Sequence, residues 1–240
     1  MNPALTIARK EYGLSLRSLG TYIIFAIYLL AVGLFFSLTA LRLRLAEMRG
    51  IFATMHLLFL FYIPAITMGS IAKERSNGTL ELISTLPVKL GHIVWGKFLA
   101  AWMLLGTLLG FTLVFLVLIL VFGMGIDLGA VATGYLGLLF SGAAFIAIGT
   151  FASSLSSNQV LAFITALAIS GFLYLLGSLG ELIPGPVFRL IEYLGFDFHL
   201  QNFLKGVLDT RDLLYFAAVT YIFILLAELR LQGQNMMQER

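Results

Sequence analysis

The sequence predicts an all-α, polytopic membrane protein with six transmembrane helices, and three observations carry this prediction. Hydrophobic residues make up 60% of the 240-residue chain, and charged residues make up only 11%, against about 25% in ordinary globular proteins. The apolar residues also form charge-free runs, each long enough for at least one helical crossing of about 20 residues. Lipid must therefore cover most of the surface, where helices keep their backbone hydrogen bonds internal.

Residues 2–18 predict an amphipathic elbow helix that lies in the membrane interface. Asn2 and Pro3 form a favourable pair for the N-cap and first position of a helix. Apolar residues then recur every three or four positions, and Arg9 and Lys10 lie elsewhere around the helix, as in basic interfacial helices. A signal peptide is the alternative, but the apolar run that follows exceeds the about 7–15 residues of a signal core.

Two membrane spans are predicted next, at residues 19–41 and 50–72, joined by a short basic link. Pro64 lies inside the second span, where neighbouring helices can satisfy the carbonyl that it leaves unpaired. His56 lies in the same span and has two interpretations, a packed neutral imidazole or a proton relay. The first is favoured because no acidic residue lies within two turns.

A cytoplasmic segment at residues 73–93 holds the densest charge in the first half of the chain. Asn77-Gly78 is a turn dipeptide, because both residues tolerate positive φ at low cost. Thr79 can then cap a short helix, which Pro87 ends by disfavouring the helical conformation of the residue before it. A plain polar loop between two spans remains an alternative on this pattern alone.

The third span is predicted at residues 94–126, and its charge-free run from residue 98 to residue 126 is longer than one crossing needs. We therefore expect its helix to project beyond the hydrocarbon near Lys97. Gly106 and Gly110 form a G-x-x-x-G pattern that permits close helix approach. With 24 glycines in the chain, one such match is weak evidence for a helix contact.

The fourth and fifth spans are predicted at residues 129–152 and 159–180. No charge occurs from residue 128 to residue 180, which is room for two crossings. A cluster of serine, asparagine and glutamine at residues 153–159 is the only polar stretch inside this run, so the chain must turn there.

Residues 181–212 predict short re-entrant helices that form a cap on the outer side. The prolines around Gly185 prevent one continuous span, and the frequent charges make full insertion costly. The large apolar residues of the same segment would make an exposed apolar patch in water. Half-insertion reconciles these features, and the expected cap residues are Pro184, Pro186, Phe188, Tyr193 and Phe198.

The sixth span is predicted at residues 213–231, and residues 232–240 predict a disordered polar tail. Asp209 and Asp212 lie about one turn apart just before this span. They could form a catalytic carboxylate pair, but a solvated helix cap is the favoured interpretation, because Arg211 lies between them at a membrane boundary.

An even number of spans places both termini on one side of the membrane. The terminus side then carries nine lysine and arginine residues and the other side six. The positive-inside rule places the termini and residues 73–93 in the cytoplasm.

Several kinds of chemistry are missing from the sequence. It contains no G-x-x-x-x-G-K-[ST] phosphate loop and no H-E-x-x-H or G-x-S-x-G motif. It has no cysteine, and its three histidines are dispersed, so no zinc site is expected. The net charge of +3 is too small and scattered to predict a nucleic-acid partner. We expect no catalytic, cofactor or metal site on this chain.

Two stretches resemble the permeases of ABC-2 type transporters. The run from Glu74 to Leu82, followed by Leu86-Pro87 and Gly96-Lys97, is similar to the signature that follows the second span in that family. The run from Phe203 to Phe216 resembles the gliding-motility-associated branch. The resemblance implies that an ATPase-coupling segment is formed by Lys73, Glu74, Arg75, Asn77, Gly78, Thr79, Leu80, Glu81 and Pro87.

The resemblance further implies a transporter in the bacterial cytoplasmic (inner) membrane, with ATP and Mg²⁺ bound by separate cytoplasmic ABC ATPase subunits. It implies an exporter with a second permease copy or a paralogue, and leaves room for an extracytoplasmic subunit. One alternative is a membrane anchor or assembly subunit that carries no cargo. A secondary carrier is a third, disfavoured because the spans hold no charge except near their ends.

Overall fold

In the computed structural model the protein is a bundle of long helices, described for residues 2–41, 48–79, 89–122, 127–180 and 192–238. Six helices in these ranges are long and apolar enough to cross a membrane. No strand occurs in the described ranges. The prediction of an all-α protein with six spans is confirmed.

The helices are numbered here in chain order. A short N-terminal helix precedes the first span, and the other short helices lie at the two ends of the bundle. Their bounds are α1 Pro3–Leu16, α2 Leu19–Phe36 (continued by a wider π-helical turn, Ser37–Leu41), α3 Arg49–Thr67, α4 Ala72–Ser76, α5 Leu90–Phe122, α6 Leu128–Leu155, α7 Gln159–Gly180, α8 Phe196–Leu204 and α9 Thr210–Gln238.

Helix α6 is the centre of the bundle. Of the 18 residues that form its most apolar stretch, 72% are buried inside the protein, against 17% for α7 and 22% for α9. It packs against α3, α5, α7, α8 and α9. Its sequence suits this position, because small residues let neighbouring backbones approach closely where lipid gives no hydrophobic drive for helix association.

Four glycines of α6 are the points of closest approach. A Cβ atom at any of them would collide with a side chain from α3, α5 or α8. These pairs are Gly134 with Phe52, Gly137 with Phe203, Gly142 with Leu105 and Gly149 with Thr67. By contrast, a Cβ at Gly106 or Gly110, the G-x-x-x-G pair, would meet nothing within 4 Å. The G-x-x-x-G pair therefore makes no close helix contact among the described residues.

Helix α1 lies along the beginning of α5. The Asn2 side chain caps it by accepting a hydrogen bond from the Ala4 N–H at 3.2 Å, and Pro3 occupies its first turn. Gly96 permits the contact, since a Cβ there would lie 2.7 Å from Ile7 Cβ and 3.0 Å from the Ala4 carbonyl oxygen.

The start of α5 and the end of α9 are among the helix ends that differ from the sequence-based bounds. Helix α5 begins at Leu90, four residues before the predicted start, and its first turn packs against α9 near Glu228. Helix α9 runs to Gln238, so the prediction of a disordered tail is wrong as far as that residue.

Candidate functional site

A buried ion cluster joins three elements at the end of the bundle where the coupling segment begins. Lys97 Nζ of α5 donates to Glu74 Oε1 of α4 at 2.7 Å and lies 3.7 Å from Glu11 Oε1 of α1. The Lys97 side chain is 4% exposed, whereas Glu74 and Glu11 are 20% and 31% exposed. The Lys97 side chain therefore ties the three helices together, and the projection of its helix beyond the hydrocarbon stays a prediction.

The Gly96-Lys97 pair has a structural role, because both residues contact α1. Gly96 removes the side chain that would hold α1 away from α5, and α1 then brings Glu11 to the ammonium group of Lys97. Tyr12 and Thr107 add a hydrogen bond of 2.8 Å between the same two helices. The Gly-Lys pair therefore sets both the distance and the charge contact between α1 and α5.

Ser153, near the end of α6, holds the start of the coupling segment in place. Its hydroxyl oxygen accepts hydrogen bonds from the N–H groups of Ile71 and Ala72, each at 3.0 Å, and it donates to the Met68 carbonyl at 2.9 Å. Backbone groups between α3 and α4 are thereby satisfied away from water. The sequence pattern predicts only a turn at this serine and does not reveal this role, for which a hydroxyl at the end of an apolar span was the available signal.

The predicted turn at Asn77-Gly78 is present. Gly78 has φ +70°, a left-handed conformation that favours glycine, and the Gly78 N–H donates to the Arg75 carbonyl at 3.1 Å. Thr79 donates its hydroxyl hydrogen to the Glu74 carbonyl at 3.2 Å. Lys73 is exposed and Arg75 is half-buried. The rest of the predicted coupling helix, with Leu80, Glu81 and Pro87, lies outside the described residues.

A second polar cluster lies at the opposite end of the bundle, where α8 meets α9. His199 Nδ1 is 2.6 Å from Asp212 Oδ1, and His199 Nε2 is 2.8 Å from the Tyr193 carbonyl oxygen. Asn202 donates to Asp212 Oδ2 at 2.9 Å. The Tyr215 ring stacks on the imidazole at 3.8 Å. This cluster fastens α8 to the first turn of α9.

The favoured interpretation of Asp212 as a solvated cap is wrong. Asp212 and His199 are 2% and 0% exposed, and a buried carboxylate needs such a partner. Asp209 does act as a cap, since its side chain accepts a hydrogen bond from the Arg211 N–H at 2.9 Å. The two aspartates point to different partners and do not form a catalytic pair.

The predicted outer cap is described only in part. Tyr193 is 47% exposed, and its ring lies 5.9 Å from that of Phe198. Helix α8 packs against α6 and α7 and buries Phe196 and Phe203. Pro184, Pro186 and Phe188 lie outside the described residues, so the re-entrant path through them stays a prediction.

His56 is fully buried among aromatic rings. Its imidazole lies 5.4 Å from the ring of Phe145 and 5.3 Å from that of Tyr174, and neither ring nitrogen has a hydrogen-bond partner in the described part of the chain. This environment agrees with a packed neutral imidazole. In the same ranges no group of three or more histidine, aspartate or glutamate side chains could hold a metal ion.

These features define a class of protein, a multi-pass helical membrane protein whose polar contacts concentrate at the two ends of its spans. Residues 44–191, more than half of the chain, match the family described as ABC-2 family transporter protein. The chain belongs to this family, and it is a transmembrane permease subunit. It is also similar to a probable ABC transporter permease protein, NosY, of Pseudomonas aeruginosa, with 29% identity over 225 residues, 80% of this chain and 82% of that protein. The gliding-motility branch stays a prediction.

Proposed function

We propose that this chain is the permease of an ABC exporter and that residues 73–87 receive the mechanical load from a separate cytoplasmic ATPase. ATP and Mg²⁺ bind to that ATPase and not to this chain. The chain has no phosphate loop, and membership of the ABC-2 family accounts for an ATP-driven permease without one. The cargo crosses the bacterial cytoplasmic membrane, with both termini of the permease in the cytoplasm.

The Glu74–Lys97 contact is the observation that carries this proposal. Glu74 lies at the base of the coupling segment, and Lys97 lies inside the third span. A displacement of the segment therefore acts on α5 through this ion pair, on α1 through Glu11 and on α6 through Ser153. Packed networks of this kind can carry energetic coupling between two ends of a protein.

The permease acts as a pair in this proposal, with a second copy or a paralogue, and two ATPases. Among the six spans, the most apolar stretch of α7 has the smallest share of buried residues. Its side chains Ile164 and Phe172 are more than half exposed. Those side chains are available to lipid or to a second permease.

Gly78 provides the sharpest test of the coupling segment. A Cβ atom at this position would meet nothing within 4 Å, so the positive φ is the penalty on a side chain that the structure shows. Asparagine tolerates positive φ and a β-branched residue does not. Gly78→Val is expected to abolish the stimulation of the partner ATPase by the permease in liposomes, whereas Gly78→Asn retains it. Equal activity of the two variants, with both proteins present in the membrane, contradicts the proposal.

Co-purification of the chain with an ATPase distinguishes an ABC permease from a secondary carrier. Stimulation of that ATPase by a cargo distinguishes a permease from a membrane anchor. The cysteine-free chain allows a single cysteine at Ser76, an exposed position, to be cross-linked to the ATPase. A cross-link that forms without ATP and changes in yield with a non-hydrolysable analogue is expected. If no ATPase co-purifies or cross-links, the proposed coupling fails.

A further inference from the structure

Two adjoining cavities at the Glu74 end of the bundle form one amphipathic site. The first, of about 420 Å³, lies between α1, α2, α3, α4 and α5, and its lining includes Glu11, Lys73, Glu74 and Lys97. Its size falls within the about 300–1,000 Å³ of small-molecule sites. Serine and threonine hydroxyls complete a polar lining near the ends of the membrane-spanning helices.

The second cavity, of about 180 Å³, is an apolar groove between α2 and α3. Ile24 and Ala65 line both cavities, so the groove continues directly from the polar chamber. It extends along α2 as far as Ala31, a distance of about 10 Å at the helical rise. Ile27 and Phe61 on its rims are 63% and 57% exposed, so the groove opens onto the lipid-facing surface.

The charges in the polar chamber leave one unsatisfied acceptor. Lys97 already contacts Glu74 Oε1 and Glu11. Glu74 Oε2 and Ser70 Oγ are buried, and neither has a hydrogen-bond partner among the described residues. Leaving a buried charged acceptor unpaired is costly. The buried ammonium group of Lys97 faces two carboxylates that are 20% and 31% exposed, so a ligand with an N–H cation complements this cluster.

Lys73 supplies the opposite charge at the mouth of the same chamber. It is exposed and lines the same chamber as Glu74, so an anionic group beside the bound cation would meet its ammonium group. A ligand with an ammonium group, an anionic group and an apolar chain in that order therefore fits the two cavities. Those are the parts of an aminophospholipid.

We propose that the chamber and the groove bind one phospholipid with a primary ammonium headgroup, such as phosphatidylethanolamine. The ammonium group donates to Glu74 Oε2, the phosphate lies at Lys73, and one acyl chain occupies the groove beside Tyr28. The lipid thereby touches the ion pair that anchors the coupling segment. This binding does not depend on the proposed ATPase, and it is measured on the permease alone.

The test is competitive lipid retention by the purified full-length permease. The protein is delipidated, then exposed to equal amounts of phosphatidylethanolamine, phosphatidylcholine and phosphatidylglycerol with identical acyl chains, and analysed by native mass spectrometry. Choline has no N–H donor. One hydrogen bond to a charged acceptor is worth about a tenfold difference in affinity, so we expect about tenfold more bound ethanolamine lipid than choline lipid. Equal retention of the two, or no retained lipid, overturns the proposal.

Two kinds of variant locate the bound lipid. Ala31→Phe fills the groove and is expected to lower retention of all three lipids, while Ala26→Phe, an exposed position on the same helix outside the groove, leaves it unchanged. Glu74→Gln replaces one acceptor oxygen by a donor and is expected to bring ethanolamine and choline lipids to equal retention. If Ala31→Phe folds, as judged by a monodisperse elution profile, and retains the lipid like Ala26→Phe, the lipid binds elsewhere and the proposal is wrong.

Discussion

Replacing Lys97 with methionine is expected to destabilise the protein more than removing either of its carboxylate partners. Methionine keeps the approximate length of the buried stem but removes the ammonium group. Glu74 and Glu11 then face each other without a cation, at side-chain exposures of 20% and 31%. The two carboxylates also repel one another, and water reaches each of them only in part.

The magnitude follows from burial. Removing one partner of a fully buried ion pair costs about 3–5 kcal/mol, and the partial exposure of both carboxylates reduces this to about 2–3 kcal/mol for Lys97→Met. Glu74→Gln keeps an acceptor at the 2.7 Å contact and should cost about 1–2 kcal/mol. Glu11→Gln loses only a 3.7 Å contact at a partly exposed site, so about 0.5 kcal/mol is expected.

A double-mutant cycle separates the pair from its surroundings. Replacing both partners of a buried pair with apolar groups of similar shape is often close to neutral. Lys97→Met combined with Glu74→Met should therefore recover about 1–2 kcal/mol relative to Lys97→Met alone. Recovery of stability without recovery of ATPase coupling would show that the ion pair itself serves transport.

The assay is reversible unfolding in mixed micelles, followed by tryptophan fluorescence. The only two tryptophans, Trp95 and Trp102, lie on α5 within two turns of Lys97, so the signal reports on this region. A Lys97→Met midpoint equal to that of the unmodified protein would refute the argument. A cost for Glu11→Gln as large as that for Lys97→Met would refute it as well.

Three further predictions concern other parts of the molecule. Gly149→Ala should lower stability by about 1–3 kcal/mol through overpacking. Gly110 has open space around it, so Gly110→Ala should be neutral or stabilising by up to about 1 kcal/mol. Unfolding midpoints in micelles compare the two variants, and an equal loss of stability would contradict the packing of α6. Asp212→Asn should lower stability by about 1–3 kcal/mol because its imidazole partner is buried. Asp209→Asn should be near neutral because asparagine caps a helix equally well. A larger loss for the Asp209 variant in the same assay would show that Asp209, and not Asp212, is the buried partner. A cysteine at Ser76 should react with an impermeant maleimide only after the cells are opened, and labelling of intact cells would invert the topology.

The number of spans and the all-α class could be read from the sequence, because membrane crossing depends on the local length of an apolar run. The same holds for local backbone features. Asn2 and Pro3 begin α1, and Gly78 adopts positive φ in the predicted turn. These are short-range properties, in which the residues that determine the structure lie within one or two turns of each other.

The sequence alone predicted a coupling segment but could not say what its residues contact. Glu74 and Lys97 lie 23 residues apart, and Ser153 reaches Ile71 across 82 residues. Their meeting depends on how α4, α5 and α6 pack. Asp212 was predicted to be solvated because it is charged. Its burial depends on the packing of α8, which places His199 against it.

The glycine pattern shows the division most clearly. Helical spacing singled out Gly106 and Gly110, whereas the tertiary structure places the close contacts at glycines of α6 such as Gly142 and Gly149. The spacing of glycines can be read from one helix, but a close contact depends on which second helix packs against them. Sequence alone therefore determined which segments cross the membrane, and only the packing of the helices decided which one lies at the centre and which charges are buried together.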